Sequence, residues 1–124
     1  MAKKQIATFL GTQKGLSTLG DHAYAFSGLI PSATDTVLLD FATSSSYIVA
    51  TFTPVYATDA GDNAEWEIEI NGEIVYVLFL TAATAYPTWE VKIIFPPNSR
   101  IRVLGSVGND RVLGAIITGR VYDA

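Results

Sequence analysis

The stretch that decides the fold is EWEIEINGEIVYVLFL, residues 65–80. Its first half alternates Glu65, Glu67 and Glu69 with Trp66, Ile68 and Ile70. A period of two marks a half-buried β-strand, because successive side chains leave a strand on opposite faces. Asn71-Gly72 follows. A two-residue type I′ turn requires positive φ at both central positions, which Asn and Gly adopt most readily. The spacing therefore predicts a hairpin of 64–70 with 73–80. In the simplest register Ile70 faces Glu73, Ile68 faces Val75 and Trp66 faces Val77, and Phe79 continues that row as the core face. On the other face Glu69 then sits opposite Ile74, Glu67 opposite Tyr76 and Glu65 opposite Leu78. Residues 74–80 are apolar in both rows apart from the tyrosine hydroxyl, the pattern of a strand covered on both sides. The expected second cover is another subunit that touches Ile74, Tyr76, Leu78 and Leu80, with Glu65, Glu67 and Glu69 as its polar rim. The alternative cover is the chain's own N-terminal arm, through Ile6, Phe9 and Leu10.

Working outward, the rest of the chain reads the same way. Runs rich in Val, Ile, Thr, Tyr and Phe are separated by Gly, Pro, Asn, Asp and Ser. Strands are expected at 22–28, 36–42, 46–57, 64–70, 73–80, 88–95, 100–107 and 111–122. Eight strands at this spacing suit an antiparallel β-sandwich or barrel. Phe95-Pro96-Pro97-Asn98-Ser99 ends one strand, since proline cannot donate to a ladder. Gly108-Asn109-Asp110 reads as a hairpin loop. Gly114 and Gly119 interrupt the last strand, which signals a bulge or a close approach of backbones. Residues 1–20, with three glycines and several hydroxyl residues, read as an extended arm before a single domain over 21–124.

A chain of 124 residues with 49% hydrophobic residues supports one core. It has no cysteine, which excludes disulfides and thiolate zinc sites and fits synthesis in a reducing cytoplasm. The apolar run at 6–10 is shorter than the core of a signal peptide, and no window has the length of a membrane-spanning helix. A soluble protein with no export signal and no membrane partner is expected. The formal net charge of −4 is uneven: Lys3, Lys4 and Lys14 stand in the first twenty residues without an acid. The remaining five basic and twelve acidic residues make an acidic body, which argues against nucleic-acid binding by phosphate neutralisation.

No set of residues dictates catalysis. Alternate glutamates on one strand face lie roughly 7 Å apart, within the range of an inverting glycosidase pair. Such a pair must flank a cleft and differ in environment, whereas a regular row on a hairpin reads as a wet rim. His22 is the only histidine and opens a strand, so it reads as structural, with pH-sensitive burial at a subunit contact as the functional option. Asp59, Asp62, Asn63 and Glu65 could ligate calcium, although loops carry Asp and Asn for turn chemistry and the spacing is not that of an EF-hand. Trp89, Tyr47, Tyr56 and Tyr122 could form a sugar platform or simply pack in the core. No enzyme activity, cofactor or metal is expected.

Four strings together carry a resemblance: YAFSG at 24–28, LLDFATSSSYIVATF at 38–52, FPPNSRIRV at 95–103 and ITGRVYDA at 117–124. They resemble the small all-β structural proteins of tailed bacteriophages, which include capsid decoration, or cement, proteins with jelly-roll-like sandwiches. The resemblance spans most of residues 20–124 and implies a jelly-roll sandwich on the virion surface. It also implies a homo-oligomer, commonly a trimer, that contacts the major capsid protein. It brings no catalytic residues. The arm, through Lys3, Lys4, Ile6, Phe9 and Lys14, would then dock onto the shell. A carbohydrate- or receptor-binding module of a fibre or tail is the alternative, and a tail or neck component with the same fold is a third reading.

Overall fold

The computed structural model describes residues 15–32, 35–56, 63–80, 90–108 and 112–123. These residues form ten strands and no helix: β1 (Ser17–Leu19), β2 (His22–Phe26), β3 (Ile30–Pro31), β4 (Thr36–Ala42), β5 (Ser46–Tyr56), β6 (Ala64–Ile70), β7 (Glu73–Leu80), β8 (Val91–Phe95), β9 (Arg100–Val107) and β10 (Val112–Asp123). The eight expected strands are all present. One antiparallel sheet has the order β1-β2-β10-β5-β8, with the short β3 also paired to β10. The second has the order β4-β9-β6-β7. The two pack as a β-sandwich around one apolar layer.

That layer is set by the alternation of each strand. Trp66 and Ile68 from β6 are fully buried with Leu38, Leu39, Ile48, Phe52, Phe95, Ile101, Val103, Leu113 and Ile117. Opposite the large residues the six-stranded sheet presents small ones: Ala23, Ala25, Ala50 and Ala115 all point inward. Small inward residues on one sheet leave volume for large ones on the other, since close packing requires that volumes match across the layer. The indole Nε1 donates to the carbonyl oxygen of Gly114 at 3.0 Å, so the buried donor is satisfied. Phe41 and Phe95 meet edge to face at 5.9 Å where the sandwich closes.

Glycine lets the longest strand pair tightly. β10 and β5 run in unbroken register from Leu113↔Tyr56 to Asp123↔Ser46, so Gly114 and Gly119 mark close approaches rather than bulges. A β-carbon on Gly119 would stand 2.5 Å from the Val49 carbonyl oxygen, and one on Gly114 would stand 2.7 Å from that of Gly28.

The Asn71-Gly72 turn is as expected, with φ of 54° and 85°. Asn71 also anchors it: its N–H donates to the Arg100 carbonyl at 2.8 Å, and its Oδ1 accepts from the Arg100 N–H at 2.9 Å. Two expectations are corrected. First, the register of the hairpin is not the simple one. Ile70↔Glu73 and Glu69↔Ile74 hold, but a bulge follows, and the pairs become Ile68↔Tyr76, Glu67↔Val77, Trp66↔Leu78, Glu65↔Phe79 and Ala64↔Leu80. One extra residue reverses every later side chain in a structure of period two. Tyr76, Leu78 and Leu80 therefore face the chain's own core rather than sharing the outer face with the glutamates. Val75, Val77 and Phe79 take that outer position. Second, the arm does not extend to residue 20: β1 pairs with β2, and Leu16 is fully buried.

Candidate interaction surfaces

The outer face of the six-stranded sheet is built in rows by the strand registers. His22 on β2 lies beside Arg120 on β10, Val49 on β5 and Ile94 on β8. The next row is Tyr24, Thr118, Thr51 and Lys92, and the third is Phe26, Ile116 and Thr53. Tyr24, Phe26, Val49, Ile94 and Tyr122 are all exposed. Tyr47 and Tyr122 stack at 5.4 Å, and His22 stacks on Tyr24 at 6.3 Å. His22 is thus solvent-exposed, 3.7 Å from Asp21, which also holds Arg120 at 3.3 Å. The result, among the described residues, is an exposed face with the Tyr47–Tyr122 pair at one end, Tyr24 and Phe26 along β2 toward the other, and threonine hydroxyls through its middle. Strand β2 alternates aromatic and alanine, and the inward alanines are the sequence signal that its rings point out.

The outer face of the four-stranded sheet differs. Its central row is Glu65, Glu67 and Glu69 on β6, beside Ser106, Leu104 and Arg102 on β9. Arg102 approaches Glu69 at 3.5 Å, and Arg100 grips Asp40 with two hydrogen bonds of 3.0 and 2.7 Å. Among the described residues, no Lys or Arg reaches Glu65 or Glu67. The Glu67 carboxyl is held above its ordinary pKa of 4.5 by partial burial, then by Glu65, Asp35 and Glu69. Beside the carboxylates, on the sheet's edge strand, stand Ile74, Val75, Val77 and Phe79, exposed by 53, 48, 45 and 53%. A shallow depression of about 210 Å³ opens between Glu65 and Phe79, floored by Ala64 and Val107. The Nε of Arg102 is buried without a hydrogen-bond acceptor among the described residues.

These placements sort the candidates. The glutamate row runs along an open sheet face and not across a cleft. Of the expected subunit contact, Glu65, Glu67, Glu69 and Ile74 are on that outer face; Tyr76, Leu78 and Leu80 are not. Asn63 is exposed, while Asp59 and Asp62 lie outside the described residues, as do Trp89 and the side chain of Tyr56. The shell-docking residues Lys3, Lys4, Ile6, Phe9 and Lys14 also lie outside them. Among the described residues no three His, Asp or Glu side chains gather as metal ligands, and no helix is long and apolar enough to cross a membrane.

No protein-family model matches the sequence, and no curated protein is significantly similar to it.

Proposed function

We propose that the protein is a structural component of a bacteriophage virion: a capsid decoration protein that assembles as a homotrimer on the shell, with the major capsid protein as its partner. The observation that carries this reading is the exposed aromatic face of the six-stranded sheet. Contiguous exposed apolar surface marks sites of protein association, and interface cores are enriched in aromatic residues and ringed by polar ones. Tyr24, Phe26, Val49, Ile94 and Tyr122, with the Asp21–Arg120 pair among them and Lys92 on the edge strand β8, supply the aromatic and aliphatic part of such a surface. The strand orders β2-β10-β5-β8 and β4-β9-β6-β7 support a jelly roll, an architecture shared by viral capsid and lectin domains. The resemblance of four sequence strings supplies the phage assignment.

The first test is the solution mass by light scattering at micromolar concentration. A trimer that falls to monomer when Tyr24 and Phe26 are both changed to Asp supports the assignment of the face. In a gradient, the protein should then sediment with shells assembled from the major capsid protein of the same virion. Failure to co-sediment removes the decoration role. A second reading, a glycan-binding module, is favoured by the stacked Tyr47–Tyr122 pair next to Arg120 on the same face. It requires binding of soluble glycans that is lost in Tyr122→Ala.

A further inference from the structure

The second exposed apolar surface, along β7, has different neighbours and points to a different occupant. We propose that the outer face at β7 is the docking site for the chain's own N-terminal segment, Lys3 to Lys14, laid against it as an added strand.

Four observations converge on this. Glu69 and Asp40 have arginine partners, whereas Glu65 and Glu67, directly opposite Phe79 and Val77, have no cation among the described residues. The occupant must therefore be both apolar and cationic. The first fourteen residues hold three of the four lysines in the chain, no acid and no proline, together with Ile6, Phe9 and Leu10. In an extended strand Lys4, Ile6 and Leu10 point to one side, the mixture that a row of glutamates beside a row of Val and Phe receives. Among the described residues β7 is the edge of its sheet, and a sheet edge offers backbone donors and acceptors to an incoming strand. The depression at Glu65 and Phe79 lies where an arm side chain would enter.

The length also suffices. The described chain begins at Gly15, just before β1. Fourteen extended residues reach about 46 Å, against roughly 15 Å across a four-stranded sheet and about 10 Å between two packed sheets. Partial burial, and after it the carboxylates of Glu65, Asp35 and Glu69, raise the pKa of Glu67, and a lysine brought beside it relieves the like-charge part. The docking gives Lys3, Lys4 and Lys14 a partner within the molecule in place of the shell contact that the sequence suggested. It does not depend on the virion reading, because a monomer can dock its own segment.

The test is hydrogen exchange on the full-length protein. In the variant Lys3→Glu/Lys4→Glu/Lys14→Glu, and separately in Leu10→Asp, residues 73–80 should exchange about tenfold faster or more, with β5 unchanged. The reciprocal variant Glu65→Lys/Glu67→Lys should show the same loss, and combining it with the triple reversal should restore protection. Unchanged exchange over 73–80 in all variants overturns the proposal. So does wild-type protection that disappears on hundredfold dilution, which would make a second copy the cover. Should the triple reversal also loosen β5, the combined variant decides: recovery of protection supports the docking, and its absence overturns it.

Discussion

Both outer faces of the sandwich expose apolar side chains, but in different company. On the six-stranded sheet, rings and aliphatic groups lie among threonines near its middle strands, and the charges Asp21 and Arg120 pair with each other. On the four-stranded sheet, the apolar row lies on the edge strand beside two carboxylates that have no cation among the described residues. The first surface is suited to a broad, nearly neutral contact, and the second to a narrow basic strand. The difference shows that exposure alone does not define a partner; the charge left unpaired beside the apolar groups does.

The largest expected effect removes the layer that both faces rest on. Trp66→Ala should cost roughly 3–5 kcal/mol, read in urea unfolding, because it empties the centre of the core. Trp66→Phe should cost about 1–3 kcal/mol, since the Gly114 carbonyl loses its donor. A smaller effect separates the faces. Gly119→Ala should destabilise by about 1–3 kcal/mol, because its β-carbon meets backbone, the Val49 carbonyl oxygen at 2.5 Å and the Ala50 Cα at 3.0 Å. An unchanged melting temperature would contradict that tight pairing of β10 with β5. On the proposed trimer assignment, the Tyr24→Asp/Phe26→Asp protein should be a monomer while its stability moves by only about 0.5 kcal/mol, since both side chains are exposed.

The smallest effect concerns Glu67, which faces Leu104 on β9 and Val77 on β7, with Glu65, Glu69, Arg102 and Asp35 around it. Its folded pKa lies above 4.5, so the folded state binds its proton more tightly than the unfolded chain does. The associated stability is present at low pH and is lost as pH rises through the folded value. In the protein with the three arm lysines reversed, Glu67→Gln should raise the melting temperature at pH 7 by about a degree. It should give no gain once the pH falls below the ordinary carboxylate range.

Much of this was legible in the linear pattern. Glutamate alternating with Trp and Ile placed β6 and its faces, because a polar row and an apolar row leave only one way in. Asn71-Gly72 announced its turn, since few residue pairs accept two successive positive φ values. Where both rows are apolar the pattern falls silent. Nothing in IVYVLFL distinguishes Val77 from Leu78 as the inward residue, and the bulge opposite Ile68 and Glu69 decided it. Leu16 and Ser17–Leu19 were hidden for a related reason: a short polar stretch with glycines looks like an arm until a neighbouring strand pairs with it.

The sequence by itself determined an all-β chain of eight principal strands, the Asn71-Gly72 and Pro96-Pro97 turns and an acidic body behind a lysine-bearing start. These depend on local φ preferences, period-two hydropathy and charge counts. Only the tertiary structure decided which strands are neighbours, which apolar row of β7 faces water, and that the aromatics of β2 look outward while its alanines look inward. Those outcomes depend on volumes and registers matched across two sheets, between residues far apart in the chain.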